Sequence, residues 1–258
     1  MHRLTSFDAL SCPAALCAVG TFDGIHLGHA ALLGGMVREA REQGLAAVVV
    51  TFFPHPKVVF GRAPDRYLTL PDAKADRLAA MGIDALITLP FDAETIATPA
   101  ATFLARMRAH CGLRGLWMGE DFALGNRREG DAAWLRARGA VEGFDVRIVA
   151  PLILDGRPVS ATRVREALQR GDVAEAAHCL GRPYAIPVTV LSARALRARE
   201  RQALPMTGDY AGELDGRPVH LHVHDGWPGA IALAVGERAE RTSEETTLII
   251  HHRHDIAS

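Results

Sequence analysis

Two histidines three residues apart, His26 and His29, stand in the segment Gly20-Thr21-Phe22-Asp23-Gly24-Ile25-His26-Leu27-Gly28-His29. An apolar run precedes it and a helix-compatible stretch follows. At this spacing both imidazoles can point to one side of a helix start. A helix N-terminus adds backbone N–H groups and a partial positive charge. Gly28 lets a ligand or a second backbone come close. Together these features suit the phosphates of a nucleotide. A satisfied histidine pair is the plain alternative, but the flanking glycines at a strand-to-helix switch favour phosphate. Zinc lacks an obvious third ligand nearby. Without GKS or GKT the segment is not a P-loop.

A second segment has the same character. In Val159-Ser160-Ala161-Thr162-Arg163-Val164-Arg165, either Ser160 or Thr162 can cap a helix that runs on through Glu166-Ala167-Leu168. Arg163 and Arg165 then fall in its first turn, where cations are unfavourable for the helix itself. An anionic ligand offsets that cost. Alone, the motif reads as an ordinary cap with surface arginines; beside the first segment it reads as a second clamp on one polyphosphate.

The elements that must carry these segments can be read from apolar patterning. Residues 15–20, 44–52, 84–90, 113–119 and 144–149 are apolar, strand-like runs. Between them lie helix-compatible stretches: 27–43, Asp72 to about Met81, Thr98-Pro99 to about Cys111, and one from near Gly130. Pro54 and Pro56 impose an irregular loop. Continuous apolar strands alternating with helices indicate a parallel sheet covered on both faces. Ligands of such sheets bind at the carboxyl ends of the strands. Near Tyr184 the texture changes to short β-prone runs separated by turn residues. The expected division is 1–184 and 185–258.

The chain has 258 residues, a formal net charge of −1, 48% hydrophobic residues and 23% charged residues, an ordinary globular balance. Near-neutral charge argues against a strongly basic nucleic-acid binder. No apolar run is long enough to span a membrane. No secretory leader is expected from the first residues. Cys12, Cys17, Cys111 and Cys179 lack metal or disulfide spacing, and reduced thiols in a cytoplasm fit best. The lysines are Lys57 and Lys74 alone, which reads as compositional bias.

GTFDGIHLGH resembles the HxGH signature of the nucleotidylyltransferase superfamily, and in its extended form that of the bacterial FAD synthetases. SATRVR is similar to their second signature, ISSTRIR. Three further stretches agree: Thr51-Phe52-Phe53-Pro54-His55-Pro56, Met118-Gly119-Glu120-Asp121-Phe122-Ala123-Leu124-Gly125, and 171–184. The similarity covers about residues 15–184. It implies an α/β fold, a Rossmann-like parallel sheet of the HxGH type with a small C-terminal β module. It also implies adenylyl transfer from ATP to FMN with Mg²⁺, giving FAD and pyrophosphate. Carried over, His26 and His29 would bind the ATP phosphates, and Thr162 and Arg165 would hold the β- and γ-phosphates. Gly20, Phe22, Asp23 and Gly28 would shape the nucleotide pocket. Phe53, Pro54, His55, Pro56 and Asp121 would lie near the flavin, with Ser160 and Arg163 also binding. No resident metal site, nucleic-acid partner or membrane partner is expected, and the sequence gives no oligomeric state.

Two departures stand out. Ala161 replaces the usual second Ser, removing one hydroxyl. The tail lacks the P-T-A-N motif of the family's riboflavin kinase module; Pro205-Met206-Thr207-Gly208-Asp209-Tyr210 is only faintly similar to that module. No kinase activity is therefore expected. Other transferases of the HxGH type, or a non-catalytic flavin-nucleotide binder, are the alternatives. Among residues set aside, His220, His222 and His224 read as a solvated strand face, and His251, His252 and His254 as a disordered terminus. Residues 193–202 read as helix-prone or disordered, and Trp117 as core.

Overall fold

The computed structural model describes residues 1–192, 194–224, 230–233 (backbone only) and 245–253. Two compact units account for them: 1–64 with 71–153, and 65–70 with the residues from 154 onward.

The first unit alternates strands and helices in chain order: β1 (His2–Leu4), β2 (Ala15–Val19), α1 (Leu27–Glu42), β3 (Ala46–Phe53), α2 (Pro56–Val59), α3 (Pro71–Ala80), β4 (Ala85–Pro90), α4 (Ala93–Ala97), α5 (Ala100–Cys111), β5 (Leu113–Gly119), α6 (Ala132–Glu142) and β6 (Asp145–Val149). Its sheet is wholly parallel, in the order β1-β4-β3-β2-β5-β6. The α/β, Rossmann-like expectation holds. All five expected strands are present; β1 is an added edge strand of three residues.

Period-2 alternation divides the strand side chains between two cores. Cys17, Val19, Val48 and Val50 pack with Phe103, Leu104, Met107 and Leu135 of α5 and α6. Leu16, Ala18, Ala47 and Val49 pack with Leu33 and Met36 of α1 and Leu78 of α3. Trp117 lies against this second core, as expected of it. A Cβ on Gly35 would meet the Trp117 ring at 2.8 Å, so close helix–sheet contact there requires glycine.

From β2 the chain builds outward through β3 and β4, then crosses back to place β5 on the other side of β2. The strand order therefore reverses between β2 and β5. A crevice opens at the carboxyl ends of strands at such a point. Gly20–His29 follows β2, and Asp121 follows β5.

Two helix starts differ from expectation. The α3 helix begins at Pro71, so Asp72 sits in the first turn rather than at the cap. Pro99 is the N-cap of α5; the Thr98 hydroxyl instead donates to the Glu94 carbonyl, and the Ala100 N–H is taken by Glu129 at 2.7 Å. A carboxylate distant in sequence does the capping there.

The second unit contains a short hairpin, β7 (Ile153–Leu154) and β8 (Arg157–Pro158), which begins one residue before the unit does. Helices α7 (Ala161–Gln169) and α8 (Val173–Leu180) follow. Six antiparallel strands then close into a barrel: β9 (Tyr184–Ser192), β10 (Ala195–Ala198), β11 (Gly208–Leu214), β12 (Arg217–Val223), β13 (Ala230–Leu233) and β14 (Glu245–Arg253). Alternate residues such as Tyr184, Ile186, Val188, Leu221 and Ile250 fill its interior. The expected small β module is thus a closed barrel. The 193–202 expectation fails: Leu196 and Ala198 point inward from β10 while Arg197 points out, a strand alternation. Residue 193 lies outside the described residues. His251 and His252 belong to β14 rather than to a disordered end, and His254 lies outside the described residues.

Candidate active site

The loop from Gly20 to His26 is strained and anchored. Phe22 and Ile25 adopt positive φ (46° and 41°), beside Gly24 at 82°. A bulky or β-branched residue holds that conformation only where its surroundings over-determine it. Here both side chains are buried in the core under α1. Gly20 makes room for the bend, since a Cβ there would touch the Phe22 ring at 3.0 Å.

This bend delivers His26 to the N-cap of α1. Its Nδ1 accepts the His29 N–H at 3.3 Å. That bond fixes Nδ1 as the acceptor and leaves Nε2 for the proton of the neutral ring. One turn on, the His29 ring stacks on His26 with centroids 3.6 Å apart, and Phe22 meets its edge at 5.2 Å. Gly28 lies between them in the first turn. No acidic residue occupies that turn, so the positive end of the helix is uncompensated by its own side chains. His29 Nδ1 is buried without a hydrogen-bond partner. Burial, then His26, then Lys74 hold the His29 pKa well below the usual histidine range, so the ring is neutral at pH 7.

Lys74, read from sequence as mere composition, is part of this group. It is 5% exposed, and its Nζ donates to the Thr21 carbonyl at 2.7 Å and to Thr51 Oγ1 at 3.5 Å. Thr51 Oγ1 also donates to the Thr21 carbonyl, at 3.1 Å. Burial lowers the Lys74 pKa to about 8, against the attraction of the buried Asp23. The signal for Lys74 was present in the sequence: it shares the inward stripe of α3 with Ala75 and Leu78. A lone lysine on a helix ordinarily snorkels to solvent, which masks the stripe in the sequence.

The loop expected near the flavin follows β3. The Phe53–Pro54 peptide is cis, and His55 caps the short α2 by accepting the Lys57 N–H at 3.0 Å, with Pro56 opening the helix. Beyond it, Phe60 is 50% exposed and meets Phe91 edge-on at 5.7 Å; Phe91 in turn meets Phe52 at 5.5 Å. The sequence reading missed this aromatic ladder, which forms only when β3 and β4 pair. Asp121 is exposed just after β5, and its carbonyl accepts from Arg128.

The remaining expected residues belong to the second unit. Ser160 caps α7, accepting the Arg163 N–H at 3.1 Å. Thr162 is exposed in the first turn, and Arg165 reaches the Ala161 carbonyl at 3.4 Å. Arg163 is placed differently from a phosphate-facing cation. It is 5% exposed, pairs with Glu175 at 2.6 Å and donates to the carbonyls of Leu154 and Arg157 at 2.8 and 3.0 Å. It ties the β7–β8 hairpin and α8 to the start of α7. On the barrel, His222 pairs with Asp209 at 2.8 Å. No cluster of three or more His, Cys, Asp or Glu suited to a metal occurs among the described residues. No helix of the described residues is long and apolar enough to cross a membrane.

Comparisons with known proteins bear on this arrangement. A family model described as FAD synthetase matches residues 11–163. The bifunctional riboflavin kinase/FMN adenylyltransferase of Escherichia coli (strain K12) is 33% identical over 229 residues, covering 84% of this chain and 72% of that protein. The protein of the same description from Pseudomonas fluorescens is 32% identical over 235 residues, covering 85% and 72%. Among solved structures, one described as a macrolide-efflux protein from Streptococcus pneumoniae superposes with a TM-score of 0.81 at 22% identity, covering 100% of this chain and 92% of that one. That likeness speaks for the fold alone. The family match spans the histidine pair, the loop after β3 and the start of α7, and the chain belongs to the FAD synthetase family of nucleotidyltransferases.

Proposed function

We propose that this chain transfers AMP from ATP to FMN, releasing pyrophosphate and forming FAD. The observation that carries the reading is the stacked His26–His29 pair at the start of α1, at the strand-order reversal and inside the family match. The FMN phosphate is largely dianionic at neutral pH, so no general base is needed to create the nucleophile. One of its oxygens attacks the α-phosphorus of ATP. The new P–O bond forms as the bond to the bridging α–β oxygen breaks, and pyrophosphate leaves with that electron pair.

The barrier lies in aligning anions and stabilising charge as it moves to the leaving group. His26 offers an Nε2–H donor, and His29, neutral and half-buried, offers a second imidazole beside the first-turn N–H groups of α1. Gly28 keeps that turn open, and Gly20, Phe22 and Asp23 shape the bend that presents it. Thr162 and Arg165 take the β- and γ-phosphates, an assignment supported by the second signature. Ser160 supports them as the cap of α7, and Arg163 as the tie beneath it. Mg²⁺ enters with ATP as part of the substrate, bound through phosphate oxygens. The flavin ring takes the loop from Phe53 to Pro56 with Asp121, and the exposed Phe60 edge suits a flat aromatic ligand.

The tail lacks the P-T-A-N motif, so riboflavin is not phosphorylated. The reading places the chain in the cytoplasm, where ATP and FMN are supplied and where its free thiols stay reduced. The test is one incubation with Mg·ATP and either FMN or riboflavin, resolved by chromatography. FAD and pyrophosphate from FMN, with riboflavin untouched, is the expected result. FMN appearing from riboflavin would restore the kinase. No product from either flavin would transfer the reading to another acceptor or to a binding protein.

A further inference from the structure

Lys74 has no role in the reaction as described, yet its position is unusual. A buried lysine loses the hydration of its ammonium, and chains tolerate this only where the charge is used or well paired. On α3, Lys74 occupies the inward stripe with Ala75 and Leu78, where an apolar residue would pack without that cost. Helix α3 runs antiparallel to the strands, so its N-terminal turn, and Lys74 with it, lies at their carboxyl ends. Thr51 continues the Ala47–Val49 face of β3 and meets it there.

What Lys74 holds is the Thr21 carbonyl, the last peptide before the positive-φ residue Phe22. Thr51 holds the same oxygen from the sheet. The strained bend is thus pinned at its entry by Lys74 and Thr51, and along its length by the buried Phe22 and Ile25. The titratable groups facing the ammonium are Asp23 from the bend and His29 from α1, with His26 stacked behind His29. Asp23 attracts the charge. His29 is kept neutral in part by it.

We propose that Lys74 is a charged positioning residue of the adenylyltransfer site, whose ammonium, with Thr51, pins the Thr21 carbonyl and so holds the strained bend that presents His26 and His29 to the nucleotide. The proposal rests on the reading of the site given above. Two consequences separate it from a packing role. The ammonium must be protonated to act, so turnover falls as pH rises through the Lys74 pKa of about 8 in the free enzyme. Removal of the charge also lets His29 bind a proton at a higher pH than before.

The test compares the full chain with Lys74→Met and Lys74→Arg in three measurements: FAD formation from FMN and Mg·ATP against pH, calorimetric titration with Mg·ATP, and the NMR titration of the His29 ring, assigned through His29→Gln. Lys74→Met is expected to lose at least 10-fold in kcat/KM for ATP at pH 7.5 and to titrate His29 at a higher pH. Lys74→Arg is expected to keep at least a third of the activity and to move the alkaline limb upward by more than one pH unit. The proposal is overturned if Lys74→Met stays within threefold of the parent in kcat/KM for ATP, whatever the His29 titration does. If Lys74→Met does not fold, an alkaline limb that stays in place in Lys74→Arg overturns it equally. Should the parent chain form no FAD, the reaction reading fails by itself. The NMR and calorimetric comparisons then still decide the part played by Lys74.

Discussion

His29 shows what a sequence motif settles at the scale of a residue and what it leaves to structure. The H-x-G-H spacing alone puts two imidazoles at a helix start. Their division of labour comes from the bend before α1, which turns His26 into a buried cap and leaves His29 half-buried with its Nδ1 shielded from water. A histidine whose pKa is depressed by folding binds its proton more readily when unfolded. Stability from this group is therefore fully present above about pH 6.5 and falls as pH drops toward the folded pKa. The slope cannot exceed about 1.4 kcal/mol per pH unit. His29→Gln is expected to flatten this part of the profile between pH 6.5 and 5, read from urea midpoints, and to lower kcat roughly 100-fold. An unchanged pH profile would show that folding does not lower the His29 pKa; unchanged turnover and ATP affinity would remove it from the site. Lys74 and Arg163 are the residues whose surroundings the sequence leaves out, for opposite reasons. A lysine on a helix reads as solvated until its stripe is seen to face the sheet. An arginine at a helix start reads as ligand-facing until a glutamate twelve residues later takes it.

Among the elements, the strands of the first unit were legible because AAVVV and ALCAV are uninterrupted apolar runs, which suit a doubly covered parallel sheet. The β10 strand was not, since ALRA is short, arginine-flanked and built from good helix formers. Its conformation is set by barrel pairing on both sides, with β9 and β13. Tertiary context likewise set the start of α5, where Glu129 replaced the cap expected from Thr98. Helix α7 was legible at its cap and not beneath it. Ser160→Ala removes one hydrogen bond to an otherwise unpaired N–H and should cost about 1 kcal/mol. Arg163→Leu leaves the Glu175 carboxylate and two carbonyls without their donor, and should cost about 3 kcal/mol or more. Urea denaturation measures both. If the two substitutions cost the same small amount, Arg163 is not the tie between hairpin, α7 and α8, and its side chain is available for phosphate.

At the scale of the whole chain, sequence order and spatial grouping diverge. The division expected at Tyr184 follows a change in texture, yet the compact units divide at 153/154, and residues 65–70 leave the first unit to join the second. No periodicity announces such a strap, because its partners lie more than a hundred residues away. The Tyr67 N–H donates to the Arg201 carbonyl at 2.7 Å, and the Ala203 N–H returns to the Tyr67 carbonyl at 2.8 Å. Gln202, 3% exposed, donates to the carbonyls of Tyr67 and Leu68 and to the Tyr184 hydroxyl. Tyr67, Leu68, Thr69 and Leu70 are all buried. Ending the chain at 184 would remove Arg201, Gln202 and Ala203 together. The strap would lose its hydrogen-bond partners, and backbone groups buried with four side chains would be left to water or to no partner, at about 1–3 kcal/mol for each that stays buried. A chain of residues 1–184 is therefore expected to melt at least 10 °C below the full chain and to bind an apolar dye, although both phosphate-binding signatures lie within it. Equal melting temperatures would mean that 1–184 is an independent folding unit after all, and that the strap's bonds to 201–203 contribute little to the stability of the chain.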